Sequence, residues 1–334
     1  MTRHVVIRIA ALCLTACSAE AAQQVDEQPI MTQQGTELQG IVLQGTQVQG
    51  MTMRGFRFAG ATLDGAALVN LRLDKGELVA ERNTVTLRGT ALLNAHLFAE
   101  AENRNVHPPQ SAVVEYQITG VVAEDARYDP TQTGNTFLYT LAQNVDNTGS
   151  WQPACPVDSD GRRVAIPLAD TWDERGTRMS SAPLFTLGCT TGAVAKCYRL
   201  GYRPWVTGYG NLMITHWTCT RVIRADYCGD GVSHTMNGTL VNLWDNLGAP
   251  GPIQPRGTTP VGMTFEAAWG QNGAVCFSHA RWDLHGDVAA AACPNRLQPP
   301  GQGMKPGTVC DNVAESLMHG GGSARMFDES DLNR

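Results

Sequence analysis

The sequence predicts an α+β, β-rich protein in two parts, a short N-terminal β stack and a C-terminal domain stapled by disulfides. Three observations predict it. Glycine falls at every fifth position from Gly35 to Gly65. Eight of the ten cysteines lie between Cys155 and Cys310. Over the same stretch, short apolar runs broken by Gly, Pro and Asp alternate with two segments of helical spacing, as when strands and helices share a core. A chain of 334 residues suits about two domains, at roughly 100–200 residues each. The charged fraction of 17% and the 35 glycines argue against a coiled coil and against charge-rich disorder. A formal net charge of −6 and the absence of any Lys/Arg run argue against a nucleic-acid partner. No run of 18 or more apolar residues is present, so no segment reads as a membrane-spanning helix.

The chain opens with Arg3 and Arg8 around an apolar stretch, Val5 to Leu14, of signal-peptide length. It ends in Leu14-Thr15-Ala16-Cys17, which resembles the lipobox of bacterial lipoproteins. That resemblance implies removal of residues 1–16 and attachment of a diacylglycerol to the Cys17 thiol, with acyl chains holding the protein to a membrane. Ser18 stands where an inner-membrane retention signal would carry Asp, which favours the outer membrane, at its periplasmic face or the cell surface. Residues 17–34 are rich in Ala and Gln without periodicity and read as a flexible tether.

Residues 35–98 are read as a β repeat region. The segment TELQG-IVLQG-TQVQG-MTMRG-FRFAG-ATLDG-AALVN-LRLDK places an apolar residue two before each glycine: Leu38, Leu43, Val48, Met53, Phe58 and Leu63, continued by Leu68 and Leu73. A period of five fits neither helix nor plain strand, so it points to stacking. The segment is similar to the pentapeptide repeat, which implies a short β-helix of about two coils. It departs from that pattern in lacking Asn or Asp before the central residue. A low-complexity Gln/Gly linker is the plainer reading of the same residues. Residues 76–98 alternate weakly as further strand, and residues 99–112, with Asn, His and Pro-Pro, mark a boundary.

The second domain is assigned to residues 113–318. Strands are predicted at Val113–Val122, Thr136–Ala142, Arg163–Leu168, Leu184–Leu187, Thr239–Trp244 and Met263–Trp269. Helices are predicted at Ala193–Leu200 and Leu212–Tyr227. The glycine- and acid-rich end, residues 319–334, reads as a disordered tail. With Cys13 in the signal and Cys17 on lipid, Cys155, Cys189, Cys197, Cys219, Cys228, Cys276, Cys293 and Cys310 remain. An even number in an oxidising compartment implies four disulfides, among about 105 possible connectivities.

Between residues 186 and 246 the chain reads TLGCTTGAVAKCYRLGYRPW and then THWTCTRVIRADYCGDGVSHTMNGTLVNLWDN. The run Ala225-Asp226-Tyr227-Cys228 resembles the ADYC domain, found largely in lipoproteins of myxobacteria, and AKCYRLGYRPW and MTFEAAWGQNGAVCF agree with it. The resemblance covers roughly residues 115–300 and implies a secreted, cysteine-rich domain. It carries over no catalytic residues.

On the predicted helix 212–227, Leu212, His216, Cys219, Ile223 and Tyr227 share one face. Cys219 and Cys228 lie nine residues and about 13 Å of rise apart, too far to bond each other, so each needs its own partner. Asp226 in the last turn opposes the helix dipole and calls for Arg221, Arg224 or the amides of Gly229 and Gly231. Cys228 with His216 or His234 would make a nucleophile only with a free thiolate, which the even cysteine count opposes. Asp226, Asp230, Ser233 and Asp245 offer oxygen ligands of the kind calcium takes, but their spacing matches no EF-hand loop. Zinc through His216, Cys219 and His234 is chemically possible but disfavoured against disulfides in an oxidising compartment. Tyr198, Tyr202, Trp205, Tyr209 and Trp217 could form a platform for sugar rings, with core packing the commoner explanation. No metal or cofactor is expected. The function expected is that of a non-enzymatic, lipid-anchored cell-envelope protein, an interaction or structural module for an envelope protein or glycan. The alternative is an envelope hydrolase of polysaccharide or cell wall, with Asp226 and His216 or His234 as acid and base.

Overall fold

The computed structural model describes residues 31–33, 47–48, 51–52, 56–103, 110–125, 128, 136–145, 148–172, 175–180, 185–235, 238–281, 293, 309–320 and 324–331. The expected signal segment 1–16, Cys17 and most of the glycine-paced segment before Phe56 lie outside them.

The larger sheet is antiparallel and curls on itself. Its strands β4 (Phe56–Leu63), β8 (His96–Asn103), β9 (Gln110–Ala123), β10 (Phe137–Val145), β12 (Ala165–Ala169) and β15 (Phe185–Cys189) follow one another as neighbours. A single bridge between Phe185 and Phe56 then returns β15 to β4. Strand alternation builds the interior: Val114, Tyr116 and Ile118 of β9 are buried while Val113 and Thr119 face water. Leu97, Leu141, Leu187 and Leu78 complete this core, where the Tyr139 hydroxyl accepts from the Leu78 amide at 2.9 Å. At Gly120 the chain slips register against Thr140. A Cβ there would meet Thr140 Oγ1 at 2.9 Å, so only glycine fits without a shift. Strands β5 (Ala66–Asp74), β6 (Glu77–Arg82) and β7 (Val85–Arg88) extend the sheet beyond β4, and β11 (Ser150–Pro153) pairs with β10; β13 (Thr171–Trp172) and β14 (Arg178–Met179) form a separate two-stranded ribbon.

The second sheet, also antiparallel, orders β1 (Met31–Gln33), β16 (Thr239–Asp245), β19 (Met326–Asp331), β17 (Met263–Gly270) and β18 (Gly273–Phe277). Between the sheets lie two helices, α1 (Ala193–Arg199) against β12 and β15, and α2 (Leu212–Arg224) against β17, β18 and β19. A third helix, α3 (Val313–Gly320), packs on β18. Arg199 of α1 reaches back to the large sheet, pairing with Glu124 at 2.9 Å and Asp160 at 2.7 Å.

The structure corrects four expectations. Residues 326–331 are not a disordered tail but a buried strand between two others, because their carboxylates find partners far away in sequence. Residues 56–74 form an antiparallel hairpin of β4 and β5 rather than stacked coils. Earlier in that segment, β2 (Gln47–Val48) and β3 (Met51–Thr52) also pair antiparallel. Within the described residues, Gly60 of the period falls at a register shift of β4 against β8, and Gly65 at the Asp64-Gly65 turn, where both residues have positive φ. The boundary at 99–112 lies inside the β8–β9 hairpin, whose strands pair from His96–Gln117 to Asn103–Gln110, so the sheet takes strands from both sides of residue 113. Finally, residues 31–33 of the predicted tether pair with β16.

Candidate functional site

The ADYC run sits where α2 ends against the second sheet. Asn211 caps the start of α2, its side chain accepting from the Ile214 amide. At the far end Ala225 turns left-handed (φ 49, ψ 43), and the amides of Ala225 and Asp226 donate to the carbonyls of Val222 and Arg221. This two-bond closure normally falls to glycine. Here a buried alanine tolerates it because everything after it is pinned.

Asp226 lies just beyond the helix and is fully buried. It pairs with Arg221 Nη1 and accepts from the amides of Asp230 and Gly231, each at 3.1 Å. Burial raises its carboxyl above the ordinary range, and Arg221 opposes that rise. Arg221 in turn donates to the Arg175 carbonyl at 2.5 Å and the Gln271 carbonyl at 3.1 Å. Gly176 leaves it room: φ is +68, and a Cβ would sit 2.9 Å from Nη1. Arg224, the other cation considered, donates to the Gly231 carbonyl instead.

Tyr227 turns inward. Its hydroxyl donates to Glu266 Oε1 at 2.7 Å and accepts from the Arg281 amide at 2.7 Å, while its ring stacks on Trp269 at 5.0 Å. Arg281 is fully buried. Its Nε donates to Glu266 Oε2 at 2.9 Å, and its Nη2 to Asp328 Oδ2 at 2.6 Å and to the Val222 carbonyl at 2.9 Å. One cation thus faces two carboxylates and the negative end of α2, where positive charge is favoured. Burial, with the like charge of Glu266, pushes the Asp328 carboxyl well above its ordinary value. Cys228 closes the run through a disulfide to Cys293, Cα–Cα 5.5 Å.

A family model describing the ADYC domain matches residues 89–283. The chain belongs to the ADYC domain family. No curated protein and no solved structure matches it. The tetrapeptide that gives the ADYC domain its name is spent on four bonds of the fold: a helix cap, an ion pair, a buried hydrogen-bonded ring and a disulfide. The matched range takes in α1 and α2 but leaves out α3, β4 to β7 and β19, on which Asp328 resides.

The remaining residues singled out in the sequence separate. His216 is buried beside Tyr198 (4.5 Å) and Trp172 (5.7 Å), and its Nε2 lies 3.0 Å from the Val194 carbonyl. Burial pushes its pKa down to about 3. From His216 to Arg224 the helix rises about 12 Å, and Asp226 lies beyond its end, so the two do not form one site. His234 packs near the Tyr227 ring at 5.7 Å, and its amide donates to the Arg224 carbonyl. Asp245 accepts from Tyr202 Oη and from the Leu247 and Gln254 amides, away from Asp226. The eight cysteines pair as Cys155–Cys189, Cys197–Cys219, Cys228–Cys293 and Cys276–Cys310. Cys219 and Cys228 thus have separate partners. Of the aromatic group, Tyr198 and Tyr202 are core, and Trp217 donates to the Gly176 carbonyl. Glu266, Arg281 and Asp328 escaped sequence reading. The one local signal was a glutamate inside the otherwise apolar strand FEAAW.

Proposed function

We propose that the protein is a non-enzymatic, lipid-anchored module of the cell envelope, held on the outer membrane through Cys17 and displaying a disulfide-stapled ADYC domain to a partner there. The observation that carries this reading is the commitment of the Ala225–Cys228 run: Asp226 to Arg221, Tyr227 to Glu266 and Arg281, Cys228 to Cys293. These groups hold a fold together, and a fold so cross-linked serves a protein outside the cytoplasm. The lipobox-like Leu14–Cys17 and the tether behind it support anchorage, and Ser18 favours the outer membrane.

Membrane fractionation tests the proposal. The wild-type chain, expressed in a Gram-negative host, is expected in the outer-membrane fraction, and Cys17→Ser in the soluble fraction. Soluble wild-type protein, or a Cys17→Ser variant that remains membrane-bound, overturns the anchor.

A further inference from the structure

The outer surface of the large sheet carries an ordered row of aromatic and polar side chains, bonded to one another and in part open to solvent. Phe98 of β8, Glu115 of β9, Asn144 of β10 and Trp151 of β11 are direct cross-strand neighbours. With strands about 4.8 Å apart, the row runs roughly 14 Å from one aromatic to the other. Glu115 is fixed between His96 Nδ1 and Asn144 Nδ2, each 2.7 Å away, and Asn144 Oδ1 accepts from the Gly149 amide at 2.8 Å. Trp151 stands edge-on to His96, ring centroids 5.6 Å apart. Asn144 is buried, while the groups it helps to fix stay open: the side chains of His96 and Glu115 are 32% and 20% exposed, and Trp151 is 38% exposed. An indole held at the surface in a short exposed strand costs solvation that a ligand would recover.

The chemistry selects the ligand. An aromatic face offers a seat for an apolar ring surface, and the locked carboxylate and imidazole beside it keep acceptor and donor capacity toward water. Sugar rings present that combination of C–H face and hydroxyl rim. The neighbouring row, His96, Gln117, Ala142 and Pro153, is low and likewise holds no Lys or Arg. An anionic polymer would therefore meet Glu115 without a compensating lysine or arginine in either row.

We propose that this face, centred on Trp151 and Glu115, binds an uncharged glycan laid across strands β8 to β11. The proposal deepens the envelope-module reading and rests on it. Affinity electrophoresis of the full chain, through gels containing dextran, galactomannan, hydroxyethylcellulose or polygalacturonate, tests it. At least one neutral polysaccharide is expected to slow the protein, and polygalacturonate is not. Trp151→Ala is expected to weaken the retardation about tenfold or more, as for a central aromatic anchor. Glu115→Gln weakens it also, while Trp151→Phe keeps a ring and retains part of it. Thermal melts of the variants matching wild type confirm that the fold is unchanged. No retardation in any neutral gel, retardation by polygalacturonate alone, or Trp151→Ala migrating like wild type overturns the site. A negative result with the chain still in the outer membrane removes the glycan site alone. Retardation by a chain that fractionates as soluble removes the anchor alone.

Discussion

His216 shows how one residue's chemistry is decided by what closes over it. On the helix surface it would titrate near neutrality; packed against Tyr198 and Trp172 its pKa falls to about 3. The unfolded chain therefore takes up this proton near pH 6.5 and the folded chain does not. Stability from His216 is whole above pH 6.5 and is lost as pH falls toward 3, at up to about 1.4 kcal/mol per pH unit for one proton. Urea unfolding at pH 7, 5.5 and 4 is expected to show this slope in the wild type, and His216→Gln is expected to lose it. Equal slopes in the two proteins would assign the dependence to other groups. The residues of the ADYC run follow the same logic. Asp226 sits where the helix dipole disfavours it, and the requirement for a cation and for amides was readable from that position alone. Arg221 was one of the two cations named. The amides are those of Asp230 and Gly231, because the chain curls back under the carboxylate.

Among the elements, β19 departs furthest from its sequence. MFDESD carries three acids in six residues and follows a glycine run, so composition assigns it to solvent. In the fold it lies between β16 and β17. Asp328 accepts from Trp269 Nε1 and Arg281, and Glu329 from Asn242 and Arg256. A buried strand of this composition stands because its two buried carboxylates, Asp328 and Glu329, meet donors 47 to 87 residues away. Deleting residues 321–334 is expected to leave Arg281 with one carboxylate fewer and to open a gap in the sheet. Buried Met326 and Phe327 alone contribute about 2–3 kcal/mol each. The truncated chain should appear in the insoluble fraction on expression. A soluble product with an unchanged melting temperature would return this segment to the status of a tail. By contrast, α1, α2 and most strands from β9 to β17 fall close to where apolar periodicity puts them, since there the pattern reports a local face.

At the scale of the molecule, two sheets are joined through a helical layer, and the disulfides mark how. Cys155–Cys189 lies within the core of the large sheet, Cys276–Cys310 in that of the second, and Cys197–Cys219 ties α1 to α2 across the middle. Removing the middle bridge as Cys197→Ala/Cys219→Ala frees a 22-residue connection and is expected to cost about 3 kcal/mol. It should also split one thermal transition in calorimetry into two, the helices then melting with the sheets they touch. A single transition at the wild-type temperature would show that the sheets are coupled by packing alone. The β-rich class, helices α1 and α2, the even set of cysteines and the ADYC family are legible in the residues alone, because these depend on period, count and short motifs. The disulfide partners, the burial of β19, the antiparallel pairing within the glycine-paced segment and the Arg281 cluster emerge only on folding. Each of those joins residues far apart in the chain, and a single buried charge finds its partner through folding, not through spacing.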